Sequence, residues 1–393
     1  MLSLSKMTDM LLYSVASTVI CCIFVVIYAL FWKDGKKLRL EDILFMAMLI
    51  VVTSLRYEVG SDYLRYLGSY QFAARRFADL STLFSRETLT RYSFEIGYEF
   101  VSVLTSRLFS SKYAILWIIS IILYIPIIVY CRKHTCNSKI AVGVFFLYGF
   151  WGLSLNVLKQ AVAMMLVLYV QEALENKKYL RAVILSVIAT SFHTTALLVC
   201  VILFIIHFGL LKKIVSPTRQ HLFLLIAIGI VLRFSTGIIL RILNRTELYT
   251  QYLSYLTAGT EDRISRSFIW IGALIETVIV CVILYIAINK LKKIENRDPR
   301  LEKIISIVML GVPFSIIGIS KTLWLSNRFA KYFFVFLIAL MPMLLNTEEL
   351  QDRFRKPSNS RTVFWISFII WHAVYAVLLL DNNTFHIGTY LFM

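Results

Sequence analysis

Apolar residues occur along the chain in long runs separated by short polar stretches. A transmembrane helix needs about 20 apolar residues, and fewer where the bilayer thins. The run over 182–211 fits two short segments that meet near His193, so we predict about twelve spans in all. The apolar runs cover 11–32, 43–55, 113–131, 140–155, 157–174, 182–211, 222–243, 268–288, 304–319, 329–345 and 363–380.

Composition also favours a protein built for the membrane. Hydrophobic residues make up 59% of the 393 residues and charged residues 16%, against roughly 25% charged residues in soluble domains. We predict an all-α fold in which residues 1–393 form a single polytopic membrane domain. Two parts of it are expected outside the membrane on the extracytoplasmic side. They are a segment over 56–110 with an amphipathic or re-entrant helix, and a loop over 243–266.

The distribution of Lys and Arg predicts the orientation of the spans. Lys6 and Asp9 precede the first apolar run and four basic residues follow it, the reverse of the charge order of a signal peptide. Both chain ends are therefore expected outside. The net charge of +18 is then mainly a topology signal, and no nucleic-acid binding is expected. The loops expected inside hold 23 of the 41 Lys and Arg residues and cover 33–40, 132–139, 176–181, 212–219, 290–303 and 346–361.

The six cysteines predict neither a disulfide nor a metal site. No pair of them falls in a loop expected outside, where disulfides form. Cys131, His134 and Cys136 lack the spacing of a zinc site and a fourth ligand. We therefore expect no metal and no other cofactor.

Many of the other basic residues lie in the half expected outside or within apolar runs. Charges there are costly unless they are paired or solvated, and they usually mark a polar cavity. One interpretation is that nearby acids neutralise these basic residues. An anion site that faces outward accounts better for the whole set of basic residues, and phosphate is the obvious anion. The basic residues are Arg56, Arg65, Arg75, Arg76, Arg86, Arg91, Arg107, Lys159, Arg233, Arg241, Lys321, Arg328 and Lys331, and the nearby acids are Glu58, Asp62, Asp79, Glu87, Glu95 and Glu99.

Aromatic residues follow a helical pattern in the outer segment. Tyr63, Tyr66 and Tyr70 recur at the spacing of one helix face. Such a face stacks on sugar rings or anchors a helix at the membrane interface, and both interpretations stay open. The stretch 94–109 carries too many charges to face lipid, so we predict a helix that lies on the membrane or dips into it.

His193 lies where an apolar segment is too short to cross the membrane. Residues 179–193 make about 22 Å of helix, against a hydrocarbon core of about 30 Å. A new apolar run returns after Thr194 and Thr195. A broken pair of helices exposes its backbone only where it lines a cavity. His193 therefore either lines such a cavity or forms a hydrogen bond that ties two helices together.

Five short motifs follow one another along the chain. They are R-Y-E-V-G-S-D-Y-L-R-Y at 56–66, F-E-I-G-Y-E at 94–99, N-V-L-K-Q-A-V-A-M at 156–164, S-F-H-T-T-A-L at 191–197 and N-R-F-A-K-Y-F at 327–333. Each motif is weak alone, and the five in register are fairly specific. Together they resemble the motifs of the EpsG family, which are Wzy-type polymerases of bacterial capsular and exopolysaccharides. The resemblance runs from about Asp42 to Leu345.

The resemblance implies a multi-pass enzyme of the bacterial cytoplasmic membrane whose active site faces the extracytoplasmic side. Such a polymerase transfers a growing glycan from undecaprenyl pyrophosphate to an incoming lipid-linked repeat unit. The product is capsule, exopolysaccharide or O-antigen. The implied partners are undecaprenyl-pyrophosphate-linked oligosaccharides, membrane lipids, and a chain-length regulator with other polysaccharide assembly proteins.

The same resemblance suggests roles for particular residues. Transfer needs cations for the leaving pyrophosphate and a base for the acceptor hydroxyl. Lys159 stands where the family usually has Arg, so it keeps the charge and loses the bidentate fork. We expect Arg56, Lys159 and Arg328 to bind pyrophosphate, His193 or Asp62 to act as the base with Glu95 as the third choice, and Tyr63, Tyr66, Gln160 and Tyr332 to bind substrate.

Other functions share parts of this pattern. A ligase that caps a lipid or protein with finished glycan would use the same chemistry on another acceptor. A flippase of lipid-linked oligosaccharide would line a path through both halves with charges, whereas the unexplained charges here favour the outer half. A membrane acyltransferase would place its His and Arg nearer the cytoplasm, and a structural subunit would not need so many outward charges.

Overall fold

The computed structural model describes residues 23–31, 35–56, 62–76, 80–85, 87–88, 95–211, 215–235, 266–292, 298–319 and 324–345. The predicted loop over 243–266 and both chain ends lie almost wholly outside the described residues. Within the described residues the secondary structure is helical, which confirms the all-α prediction. In chain order the helices are α1 (residues 23–31), α2 (Leu40–Ser54), α3 (Tyr63–Arg76), α4 (Leu80–Leu83), α5 (Gly97–Leu108), α6 (Ala114–His134), α7 (Ser138–Leu147) and α8 (Phe150–Asn156). They continue with α9 (Leu158–Glu175), α10 (Tyr179–Phe192), α11 (Thr195–His207), α12 (Arg219–Phe234), α13 (Arg266–Leu291), α14 (Pro299–Gly318), α15 (Trp324–Phe334) and α16 (Leu337–Leu345).

Among the described residues, three helices are long and apolar enough to cross a membrane: α6, the Ala273–Leu291 part of α13, and α14. Two bent pairs, α7 with α8 and α15 with α16, raise the number to five if each pair forms one span. The described residues thus contain three to five candidate spans, and the predicted number of about twelve is not confirmed. One reason is that α9, although largely apolar, has three charged residues among its 18.

Several apolar runs are broken helices rather than single spans. The run over 140–155 bends by 51° between α7 and α8. Gly149 has a φ of 74° there, a left-handed conformation that glycine adopts without a steric penalty. The run over 182–211 breaks at His193, between α10 and α11, as the sequence predicted. Breaks of this kind leave helix ends inside the bundle.

Helix α9 lies at the centre of the packing. Most of its side chains are buried, and it contacts α6, α8, α10, α11 and α15. Its 18 residues correspond to about 27 Å of helix. The two ends of α9 therefore lie on opposite sides of the bundle, and each end borders a charged region.

A buried ion pair holds the end of the bundle where the loops expected inside lie. Arg132 Nε on α6 is 3.2 Å from Asp42 Oδ2 on α2, and neither side chain is accessible by more than 1%. Tyr28 donates its hydroxyl to Asp42 Oδ1 at 3.1 Å. Removing one member of such a pair typically lowers the free energy of unfolding by about 3–5 kcal/mol, because the other charge stays buried without a partner.

Candidate functional site

The break between α10 and α11 positions a histidine against a carboxylate. Helix α10 ends at Phe192, and His193 has an extended backbone. Thr194 donates its backbone N–H and its hydroxyl to Glu95 Oε1, at 2.8 and 2.6 Å. The same oxygen is 3.5 Å from His193 Nδ1, and about a quarter of each of these two side chains is exposed. Glu95 thus holds the start of α11 and orients the imidazole, while both groups stay accessible.

Thr195 and Tyr332 complete the surroundings of the imidazole. The hydroxyl of Thr195 lies 2.9 Å from His193 Nδ1, and the ring of Tyr332 on α15 is 6.2 Å from the imidazole ring. Arg328 and Lys159 lie within electrostatic range of His193. Because Nδ1 faces Glu95 and Thr195, Nε2 is the nitrogen left to meet a substrate.

Lys159, in the first turn of α9, forms an ion pair with Glu99. Its Nζ is 2.8 Å from Glu99 Oε1, and the carboxylate is almost fully buried. The same Nζ lies 5.2 Å from the centre of the Tyr98 ring. Tyr98 in turn packs on Tyr66, with ring centres 5.4 Å apart. Glu99 therefore neutralises Lys159, which is the first of the two interpretations of the basic residues. An anion bound at this position would share the lysine with Glu99.

Asp62, just before α3, lies near Asn156 at the end of α8 and within electrostatic range of Arg328 on α15. The backbone N–H of Asp62 donates to Asn156 Oδ1 at 3.1 Å. Arg328 lies within electrostatic range of Asp62 and Tyr66. Gln160 donates from its side-chain amide to the Arg328 carbonyl at 2.6 Å. Gln160 thus fixes the backbone that carries Arg328.

The aromatic face predicted on α3 turns inward. Tyr63 and Tyr70 are buried, at 2% and 4% exposure, and Tyr66 is half-buried. Burial, with a smaller contribution from Asp62, raises the pKa of Tyr66 in this predicted extracytoplasmic segment. Tyr66 is therefore a neutral phenol that can donate a hydrogen bond to a substrate.

Arg56 follows α2 and is only 4% exposed. Electrostatic interactions connect it to Tyr98 and Tyr124, so it adjoins the group formed by Lys159, Tyr98 and Tyr66. The ten residues to which the sequence analysis gave a role in binding or as a base thus lie in one region of the fold. Tyr63 belongs to this region because it is the first residue of α3, next to Asp62. We call this region the charged cluster.

The charged cluster combines two properties. The N-terminal ends of α3, α5, α9, α11 and α15 border it, and helix N-termini carry partial positive charge that favours anions. Arg56, Lys159 and Arg328 add full charges. His193, with Asp62 and Glu95, provides groups that can accept a proton. The arrangement can hold an anion and carry out general base chemistry beside it.

Sequence reasoning gave no role to some residues that the structure brings here. Asn156 and Tyr98 lie within two of the quoted motifs, and that was the signal that could have found them. Glu276 lay in no motif. It is buried and forms an ion pair with Lys331, one of the basic residues that the sequence left unexplained. Among the described residues, no group of three His, Cys, Asp or Glu side chains is placed to hold a metal ion.

The apolar helices and the charged cluster at their broken ends define a helical membrane protein with a polar site inside its bundle. The family model for the EpsG family matches residues 42–392. The chain therefore belongs to the EpsG family, a Wzy-like polymerase family, and this confirms the resemblance predicted from the five motifs. No curated protein and no solved structure matches the chain.

Gly97 sets how closely α5 approaches α10, and we expect an alanine there to disturb the cluster. A Cβ atom at Gly97 would lie 2.8 Å from Ser191 Oγ and 3.0 Å from the Ser191 carbonyl carbon. Gly97→Ala would push α5 away and separate Glu95 from Thr194. We expect a loss of about 1–3 kcal/mol in the free energy of unfolding, as in overpacked cores. Thermal unfolding of the purified protein and the polymer yield in cells measure the effect.

Gly68→Ala on α3 is the matched control. No atom lies within 4 Å of the added Cβ, so we expect unchanged polymer and a stability equal to the wild type or up to about 1 kcal/mol higher. If Gly97→Ala unfolds at the wild-type temperature and gives normal polymer, the contact of α5 with α10 does not position the cluster.

Proposed function

We propose that this protein is a polysaccharide polymerase that transfers a growing glycan from undecaprenyl pyrophosphate to a lipid-linked repeat unit at the outer face of the cytoplasmic membrane. The acceptor hydroxyl attacks the anomeric carbon of the donor sugar. The bond between that carbon and the pyrophosphate oxygen breaks, the lipid pyrophosphate leaves, and the hydroxyl proton passes to a base of the protein.

The observation that carries the proposal is the meeting of cations and helix N-termini with a histidine–carboxylate pair in the charged cluster. The leaving pyrophosphate develops negative charge, and fixed cations and N–H dipoles stabilise such charge best where water is scarce. Arg328 and Arg56 supply charge, and Lys159 adds charge that Glu99 partly balances. His193 accepts the proton at Nε2, while Glu95 keeps Nδ1 oriented.

Deletion of the gene tests this function, with the surface glycan separated on a gel. A polymerase deletion leaves single repeat units in place of a ladder. Loss of all surface glycan, with intact repeat units inside the cell, would instead identify a flippase. A ladder that forms but is not attached to its final acceptor would identify a ligase. Purified protein should then convert lipid-linked repeat units into polymer.

The proposed orientation places the charged cluster outside and the C-terminal end of α9 inside. We expect Ser110→Cys, in the exposed loop between α5 and α6, to react with an impermeant thiol reagent in intact cells. Lys178→Cys, exposed between α9 and α10, should react only after permeabilisation, as should a cysteine at position 295. The background is a functional variant without its own cysteines, and the reverse labelling pattern would invert the orientation.

A further inference from the structure

A second charged region lies at the end of α9 opposite the charged cluster. A cavity of about 570 Å³ opens there between the C-terminal ends of α6 and α9 and the start of α14. Its lining includes Lys36, Lys133 and Lys303 together with three acids. None of these residues belongs to the motifs or to the glycan-transfer chemistry, so the cavity needs its own explanation.

The acids of this cavity are engaged within the protein. Glu175 Oε2 lies 2.9 Å from Arg300 Nε. Glu172 accepts a hydrogen bond from the Asn176 amide at 2.8 Å. Asp298 caps α14 by accepting from the backbone N–H of Arg300 at 2.8 Å. Glu172 Oε2 also lies 3.8 Å from Arg181 Nη2. Two of the three acids are therefore balanced by arginines, and Asp298 lies at the N-terminus of α14, where a helix favours negative charge.

The three lysines have no such balance. Within the described residues, Lys36, Lys133 and Lys303 form no ion pair. Lys36 and Lys133 are exposed and Lys303 is half-buried. Three cations that line one cavity and form no ion pair within the described residues favour an anionic ligand.

An apolar cavity of about 290 Å³ adjoins the charged one. The two share Pro299 and Lys303 in their linings. The lining of the smaller cavity is mostly apolar, with Ile206, Leu211 and Val215, and it also includes Glu302 and Ser306 beside Lys303. Lys303 thus lies at the boundary between the charged cavity and the apolar cavity.

We propose that the two cavities together bind an anionic phospholipid of the adjacent leaflet. Its phosphate lies among Lys36, Lys133 and Lys303, and one acyl chain occupies the apolar cavity. Basic pockets between membrane helices bind anionic lipid headgroups in this way. The apolar compartment favours a lipid over a soluble phosphate, because a soluble anion leaves that compartment unfilled.

The test is the binding of cardiolipin and phosphatidylcholine to the purified full-length protein, measured by native mass spectrometry after delipidation. We expect the protein to retain cardiolipin in preference to phosphatidylcholine. The triple variant Lys36→Gln, Lys133→Gln and Lys303→Gln should bind cardiolipin roughly a hundredfold more weakly, since each lysine near an anionic lipid is worth about fivefold. Lys37→Gln and Lys178→Gln together are the control, because both lysines are exposed and neither lines the cavity.

A second variant separates the two sources of phosphate. Leu211→Trp narrows the apolar cavity and keeps all the lysines, so it should weaken cardiolipin binding. Equal retention of both lipids, or cardiolipin binding that the lysine triple variant leaves unchanged, overturns the proposal. A third result also overturns the proposal. If inorganic phosphate alone protects the delipidated protein against unfolding, and Leu211→Trp leaves that protection unchanged, the ligand is a soluble anion.

Discussion

Arg328→Ala should abolish polymer while the protein stays in the membrane. Arg328 lies within electrostatic range of Asp62 and His193, and Gln160 holds its backbone carbonyl at 2.6 Å. The acceptor of that hydrogen bond is the main-chain carbonyl of Arg328, so alanine removes the guanidinium and leaves the anchoring of α15. Loss of one group that stabilises developing charge typically lowers the rate by about 10²–10³-fold. The transfer rate with purified lipid-linked repeat units measures the loss.

Further variants define what the charge of Arg328 does. Arg328→Lys keeps the charge and loses the fork that grips two phosphate oxygens, so its rate should lie between those of alanine and wild type. Arg56→Ala should give a loss of similar size. Arg107→Ala is the control, because Arg107 is exposed near the end of α5 and should leave the ladder unchanged. If both Arg56→Ala and Arg328→Ala give normal glycan ladders, the prediction that the charged cluster binds the pyrophosphate is wrong.

His193→Gln should lower the transfer rate by roughly 10²–10⁴-fold, the usual contribution of a general base. Glutamine can still accept from Thr195, but it cannot take the proton of the acceptor hydroxyl. The pH profile separates the roles. The wild-type rate should fall in acid as the imidazole is protonated, and the variant should lose that dependence.

The rival interpretation of His193 is a hydrogen bond that ties α10 to α11. If that interpretation is right, His193→Gln keeps the wild-type transfer rate and pH profile. Asp62 is then our choice for the base. His221→Gln is the control, because His221 makes comparable hydrogen bonds with Thr218 and Ser216 near the start of α12. It should leave the transfer rate unchanged.

Helix type and the break at His193 were predictable because they depend on local sequence. A helix of 15 residues is about 22 Å long and falls short of a hydrocarbon core of about 30 Å, so its length predicted the break. The number of spans was harder to predict. Apolar runs show where helices form, but the 51° bend at Gly149 depends on a backbone conformation that hydropathy does not reveal.

The sequence by itself determined the membrane class, the family and the residues of the charged cluster, because apolar runs and short motifs are local properties. Only the tertiary structure decided which charges neutralise each other. Lys159 pairs with Glu99 across 60 residues, and Thr194 binds Glu95 across 99. Such partners meet only when helices pack, and many acids in the chain are equally near in sequence. The structure therefore pairs Lys159 with Glu99 and places Arg328 within electrostatic range of Asp62 and His193.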